Sequence, residues 1–196
     1  MASLFWGQAN AEPKRQFRFE LSFTSRNGNN PGDIPVWAVK TATKPVVEVS
    51  TIPHQYIDHT FNFPGRVTWQ PITVTLVDPV NPDLSFAFLD ILGNAGYKYP
   101  DTDSIARASL SKKDFTNTIG NVVLRQIDAD GLEIEKWELV NPIITNIDFG
   151  GTLSYDSDDM VEVSCTITYD WAILKRSGGP NGEGGSNNSP ASVRGL

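Results

Sequence analysis

Polar and apolar residues alternate along much of this chain. In "QFRFELSF", Phe17, Phe19, Leu21 and Phe23 fall on one face and Arg18, Glu20 and Ser22 on the other, the period of a half-buried strand. A turn-rich loop, "RNGNNPGD", follows from Arg26 to Asp33, and "PVWAVKTAT" predicts a second strand. The stretch "KPVVEVSTIPHQYIDHTFNFPG" carries Pro45, Pro53 and Pro64. Proline suits edges and bulges rather than central strands, so this segment reads as an extended hairpin or arm. "RVTWQPITVTLVD" puts Gln70, Ile72, Val74 and Leu76 on one face, with Pro71 at an edge or at a position without a ladder partner. Residues 119–147 predict two strands joined at Asp130-Gly131, a strong hairpin signal. After "FGGTLSYDSDD", one last strand is predicted through "MVEVSCTITYDWAIL". The polar, mixed stretch from Tyr97 to Thr118 predicts a connection without a regular element.

One segment breaks the strand pattern. In "NPDLSFAFLDILGNAG", Asn81 is positioned to cap a helix, Pro82 fits its first turn and Asp83 complements the N-terminal dipole. Gly93 and Gly96 can end it. Leu84, Phe88, Ile91 and Leu92 form one apolar stripe, but Phe86, Ala87 and Leu89 lie on other sides, and only Ser85 and Asp90 interrupt. A surface helix on a monomer needs a wet face. This helix therefore either plugs the end of a barrel or lies between its own sheet and another subunit. The predicted fold is mainly β, a single antiparallel β-sandwich or barrel with one α-helix and an extended hairpin arm. Residues 1–15 form a lead-in in which Phe5 and Trp6 would be exposed unless docked on the body or a neighbour. The β domain spans 16–176. Residues 177–196, rich in Gly, Ser and Asn, lack apolar residues to bury and predict a flexible extension.

Charge narrows the function. The formal net charge is -7 at pH 7, and no cluster of Lys and Arg is present to release counter-ions from a phosphate backbone. That argues against direct nucleic-acid binding but not against passing near DNA without gripping it. The single cysteine, Cys165, shares a face with Val161, Val163 and Ile167 and predicts a buried core thiol. "MASLFWGQANAEPKR" has no basic n-region or long apolar stretch, and no segment approaches the roughly 18 apolar residues of a membrane span. The expectation is a soluble chain of the cytoplasm unless an assembly carries it elsewhere.

Candidate chemistry is sparse. His54, Asp58 and His59 cluster in "HQYIDH", but a metal site needs a fixed set of three or more ligands, and polar loop contacts explain them better. "DADG" (Asp128 to Gly131) lacks the rest of a calcium loop and reads as a hairpin turn; "DSDD" (Asp156 to Asp159) reads as a solvated acidic turn. No serine or cysteine sits in a nucleophile motif. Neither a catalytic residue, a metal nor a cofactor is predicted. The polar strand faces say more. Glu162, Ser164, Thr166, Thr168 and Asp170 share the face opposite Cys165, with Glu133 and Glu135 adding acid in the hairpin. That face is either the wet side of a sheet or a functional wall.

Taken in order, these segments resemble the tail tube proteins of contractile-tailed, T4-like bacteriophages. "RFELSF" resembles the family's opening strand, and "VWAVKTATKPVVEVSTIP" its second. "TFNFPGRVTWQPITVTLVD" is similar to its most recognisable segment, an arm returning through a glycine into "W-x-P-I-T-V-T-L". The helix "DLSFAFLDIL" follows where the family places one, and "VEVSCTITYDWAIL" is similar to the closing strand. The resemblance covers about residues 14 to 174. The Gly-rich tail and the longer lead-in depart from the compact T4-like pattern. The resemblance implies a structural virion subunit that forms hexameric rings, stacked into a tube inside a contractile sheath, through which the genome is delivered. Its implied partners are other copies of itself, the sheath protein, the baseplate and a tape measure protein. DNA would pass through the lumen without specific binding.

On that reading the wall face is Glu162, Ser164, Thr166, Thr168, Asp170, Glu133 and Glu135. The ring-stacking arm comprises Pro45, Val47, Pro53, His54, Tyr56, Asp58, His59 and Phe61. The outer or inter-subunit helix presents Leu84, Phe86, Phe88, Leu89 and Leu92. Assembly would occur in the host cytoplasm. A baseplate tube-initiator of the same fold, or a tube subunit of a related contractile injection system, fits as well. From other classes, a solitary β-sandwich binding module would show exposed aromatics on a concave face and a stable monomer. An enzyme would depend on a metal or a carboxylate pair.

Overall fold

The computed structural model describes residues 13–24, 34–100 and 109–176. The expectations for Phe5 and Trp6, for the loop around residues 26–33 and for the extension 177–196 lie outside the described residues. Ten strands are described: β1 (Phe19–Thr24), β2 (Val39–Ala42), β3 (Val46–Tyr56), β4 (His59–Gln70), β5 (Ile72–Val77), β6 (Asn121–Ile127), β7 (Glu133–Val140), β8 (Ile143–Asp148), β9 (Glu162–Thr168) and β10 (Trp171–Arg176). Two four-stranded antiparallel sheets run β1-β6-β7-β10 and β2-β5-β9-β8, and β3 pairs with β4 alone. Mainly antiparallel β architecture is the predicted class.

The alternation read from the sequence sets the core. In the β5–β9 ladder, Ile72 faces Ile167, Val74 faces Cys165 and Leu76 faces Val163, and all six are essentially inaccessible. Leu21, Val122, Leu124 and Leu139 join them from the first sheet. Each such side chain contributes roughly 1.5–3 kcal/mol on burial.

Two predicted strand boundaries move. Residues 119–147 hold three strands, because Asn141 (φ 52°) and Pro142 end β7 and carry the chain into the other sheet at β8. The single closing strand divides at Tyr169-Asp170 into β9 and β10, which belong to different sheets. The two crossings are pinned together: Asn141 Nδ2 donates to Asp170 Oδ2 at 2.7 Å. Pro71 likewise separates β4 from β5.

The helix, α1 (Leu84–Asn94), begins later than predicted. Asp83, not Asn81, is its cap, accepting from Phe86 N at 2.9 Å, and Asp78 accepts from Leu84 N at 2.9 Å and from Ser85 Oγ at 2.8 Å. Two carboxylates thus satisfy the first-turn donors. Leu84, Ala87, Phe88 and Ile91 are buried, whereas Phe86 is 69% exposed and Leu89 41%. A second helix, α2 (Lys112–Ile119), lies where no element was predicted. Ser111 Oγ accepts from Asp114 N at 3.0 Å and donates to Asp114 Oδ2 at 2.6 Å, a serine N-cap that "SKKD" announces in the sequence. Phe115 and Ile119, one turn apart, bury it in the common core.

Candidate assembly surfaces

The arm predicted from the prolines is the β3–β4 hairpin. It prolongs the β2–β5 pair, since Thr43 N bonds to Thr73 O at 3.0 Å and pairing resumes at Val46 with Gln70. β3 has eleven residues, a reach of about 35 Å at ~3.3 Å each. Every residue of β3 is exposed. Val47, Pro53, His54, Tyr56, Asp58, His59 and Phe61 all lie on this ribbon in the open, with Pro45 half-buried at its root. Ile57 and Asp58 make the tip, Ile57 at φ 54°, a conformation strained for a β-branched residue. A two-stranded hairpin is at best marginally stable alone in water.

The root is held by contacts that no local sequence signal announces. Trp69 lies 6.1 Å from Tyr169, centroid to centroid, and the Tyr169 hydroxyl donates to Gln70 O at 2.8 Å. On the other side, Lys44 donates to Gln126 Oε1 at 2.6 Å and pairs with Glu135. Lys14 pairs with the same carboxylate. Burial would raise the Glu135 pKa, but the hydrogen bonds and charges of the two lysines outweigh it and hold it at about 2. This cluster lies in a cleft of about 690 Å³ that also includes Phe17, Phe19, Leu124 and Trp137.

The residues expected to form one acidic wall are not brought together. Glu162, Ser164 and Thr166 lie opposite Val77, Thr75 and Thr73 on the outer face of the β5–β9 pair, and Thr168 continues that face opposite Ile143 of β8. Glu133 and Glu135 stand in the other sheet. Glu135 points into the cleft, and Glu133 pairs with Arg125 at 3.3 Å. Asp170 sits at the crossing, where hydrogen bonds from Lys112 and Asn141 hold its pKa below the usual range against a small burial effect. Glu162 pairs with Lys40. The β5–β9 face is a surface of hydroxyls (Thr73, Thr75, Ser164, Thr166, Thr168) with Glu162 paired to Lys40, and Asp148 of β8 stands opposite Ser164 beside it.

Cys165 is buried as expected, and burial pushes its thiol up to about 12. His54, Asp58 and His59 lie at or near the arm's tip, and among the described residues no three His, Cys, Asp or Glu side chains group as metal ligands. Outside the arm, and among the described residues, the sheets end at β1 and β10 on one side and at β2 and β8 on the other. Trp171, Ile173 and Leu174 on β10 leave substantial apolar surface open, as do Leu153, Tyr155 and Met160 between β8 and β9. Such edges are templates for another chain. Among the described residues no helix is long and apolar enough to cross a membrane.

No protein-family model matches the chain, and no curated protein sequence matches it. Solved structures do share its fold. A chain in the cryo-EM structure of an extracellular contractile injection system, the PVC sheath–tube complex in its extended state, is 15% identical, with 90% of this chain and 100% of that chain covered and a TM-score of 0.59. A chain in the cryo-EM structure of the anti-feeding prophage baseplate, 6-fold symmetrised, is 16% identical over 85% of this chain and 97% of that one, with a TM-score of 0.58. A chain in the tube-terminating cap of the anti-feeding prophage is 13% identical over 85% and 93%, also with a TM-score of 0.58. At these identities the likeness is one of fold.

Proposed function

We propose that this chain is a structural subunit of the tube of a contractile injection apparatus, either a phage tail or a related system. The observation that carries the reading is the arm: a ribbon about 35 Å long, exposed along all of β3 and most of β4 and bearing apolar side chains in both halves, on a fold shared with chains of sheath–tube and baseplate assemblies. A ribbon of this kind needs a partner surface, and unpaired edges at both margins of each sheet give a head-to-tail contact somewhere to close. In this reading copies associate edge to edge in hexameric rings, and arms tie each ring to the next. Sheath protein meets the outside, where Phe86 and Leu89 of α1 stand exposed; baseplate and tape measure protein meet the ends and interior. The chain has no catalytic role.

The hydroxyl face of β5 and β9 is the proposed channel wall. With Glu162 neutralised by Lys40 it offers a passing polyanion neither a cationic grip nor strong repulsion. In the phage form of the reading that polyanion is the genome, and the chain resides in the virion. A tube-initiator at the baseplate is a second reading, favoured by the equal likeness to a baseplate chain.

Electron microscopy of the purified chain tests the proposal. Rings or tubes with a central channel are expected, alone or when sheath or baseplate is supplied. A monodisperse monomer at high concentration that stays monomeric with both would overturn it. Addition at the baseplate only, without growth along the tube, would select the initiator.

A further inference from the structure

The arm changes its apolar face half-way along. Residues directly opposite in a ladder share a face of the ribbon. In the root half, Val47 pairs with Trp69 and Val49 with Val67 on one face. The other face carries Glu48 opposite Thr68 and, at the very base, Val46 opposite Gln70, whose Nε2 donates to Glu48 Oε2 at 2.7 Å. In the tip half the assignment reverses. Ile52 opposite Phe63, His54 opposite Phe61 and Tyr56 opposite His59 continue the face of Glu48, with the His54 and Phe63 rings meeting edge-on at 6.5 Å. Thr51, Pro53 and Gln55, opposite Pro64, Asn62 and Thr60, continue the face of the valines.

The two strands reach this reversal by different means. β3 shifts phase in its sequence, from Val47 and Val49 to Ile52, His54 and Tyr56. β4 keeps one alternation through His59, Phe61, Phe63, Val67 and Trp69, and a bulge at Gly65-Arg66 opposite Ser50 turns it over. Arg66 N donates to Ser50 Oγ at 2.8 Å, and a Cβ on Gly65 would lie 2.4 Å from that oxygen. Two unrelated devices converge on the same switch point.

We infer that the arm is clasped from both sides by two further copies of this chain, one covering the valine face of its root and the other the aromatic face of its tip. The inference rests on the proposed assembly and deepens it. A surface lying on one face of the ribbon covers only one patch, so two coverings are required. About half of each patch side chain is exposed, so each patch by itself offers on the order of 400 Å², a small contact that gains strength by being made together with the other and repeated through an assembly. The arm's fixed charges, Glu48, Asp58 and Arg66, nearly balance, which suits a protein surface rather than a polyanion or an acidic membrane. The same chain displays the apolar edges at β10 and between β8 and β9 that such a contact can use.

A photocrosslinking experiment on the full chain tests this. Cys165 is the chain's one cysteine and is buried, so Val67→Cys, Phe63→Cys and the double variant can each be labelled with a thiol-reactive photocrosslinker. Labelled chain is assembled with a large excess of unlabelled chain. Each single variant should yield two-chain adducts to different segments of the unlabelled copy, and the double variant three-chain adducts joined through one arm. Assembled material in which the double variant stops at two chains would overturn the two-sided clasp while leaving the assembly reading intact. Adducts confined to one chain would overturn it as well. A monomer without adducts would overturn both. Hydroxyl-radical footprinting of unlabelled assemblies is a second readout that no label disturbs: Val49 and Val67 should be protected together with Phe61 and Phe63, and protection of one pair alone would overturn the inference.

Discussion

β5 and β3 are written in nearly the same alphabet. "ITVTLV" and "VVEVSTI" are both β-branched, alternating and short of charge. Yet Ile72, Val74 and Leu76 are at most 1% exposed, while Val46, Val47 and Val49 are about half exposed. β5 lies between β2 and β9; β3 has only β4. Alternation specifies a strand, but the neighbours decide whether its apolar face is satisfied. In β5 the neighbour is in the same chain. In β3 no neighbour among the described residues covers it, and in the proposed assembly that neighbour is another copy.

The largest test of that contrast sets a core aromatic against an arm aromatic. Phe88→Ala removes a fully buried ring and should destabilise the isolated chain by about 3–5 kcal/mol in urea unfolding. Phe63→Ala, in the arm, should change the same midpoint by less than about 0.5 kcal/mol yet raise the concentration needed for assembly. Equal effects of the two on the isolated chain would mean that the arm is part of the core after all.

The junction between the two regions is set by charge. Glu135 has its carboxyl lowered from 4.5 to about 2, by Lys14 and Lys44 against burial. A depressed folded-state pKa gives stability that is complete above the unfolded value and is lost as pH falls. The loss should therefore run from about 4.5 down through about 2, and its full extent is on the order of 3 kcal/mol. Glu135→Gln should be less stable than wild type at pH 7 and should lack this part of the acid limb. Hydrogen exchange at the arm root should quicken in the variant at pH 7. An unchanged acid limb would show that Lys14 and Lys44 do not hold the carboxylate.

The same division explains what the sequence made legible. Local alternation was enough for most strands and the burial of Cys165, and the prolines were enough for the arm. Chain crossings were not, because Asn141-Pro142 and Tyr169-Asp170 interrupt strands without interrupting the apolar pattern. α2 was passed over although Ser111 and Asp114 spell its cap, since eight residues with two apolar anchors make a weak period. The placement of Glu133 and Glu135 in the other sheet is not legible for a non-local reason: Lys40 is far in sequence from Glu162, as Lys14 and Lys44 are from Glu135, so the partners of these acids are visible only once the sheets are assembled.

A smaller test concerns α1, which belongs to both regions: one face in the core, Phe86 and Leu89 outside. Asp83→Ala removes the cap bond to Phe86 N and should cost about 1 kcal/mol, with Asp78 still satisfying Leu84 N. Asn81→Ala should cost less, since Asn81 does not cap. Urea midpoints of the two variants give the comparison directly, and a larger loss at Asn81 would move the cap back to where the sequence first suggested it.

The smallest effect is expected at the arm's tip. Ile57 holds a left-handed φ of 54°, which costs an L-residue roughly 1–2 kcal/mol relative to glycine's freedom there. Glycine gives part of that back in backbone entropy, so Ile57→Gly should shift the stability of the isolated chain by under about 1 kcal/mol. Because the hairpin contributes little to the core, the change should show as slower amide exchange at Tyr56 and His59 rather than as a higher urea midpoint. Ile57 is 83% exposed, so little packing among the described residues offsets its backbone preference. If the strain is retained for a contact between copies, Ile57→Gly will tighten the turn and weaken assembly together. Tighter exchange with unchanged assembly would leave the tip outside the interface and confine the contact to the faces of Phe61, Phe63 and the valines.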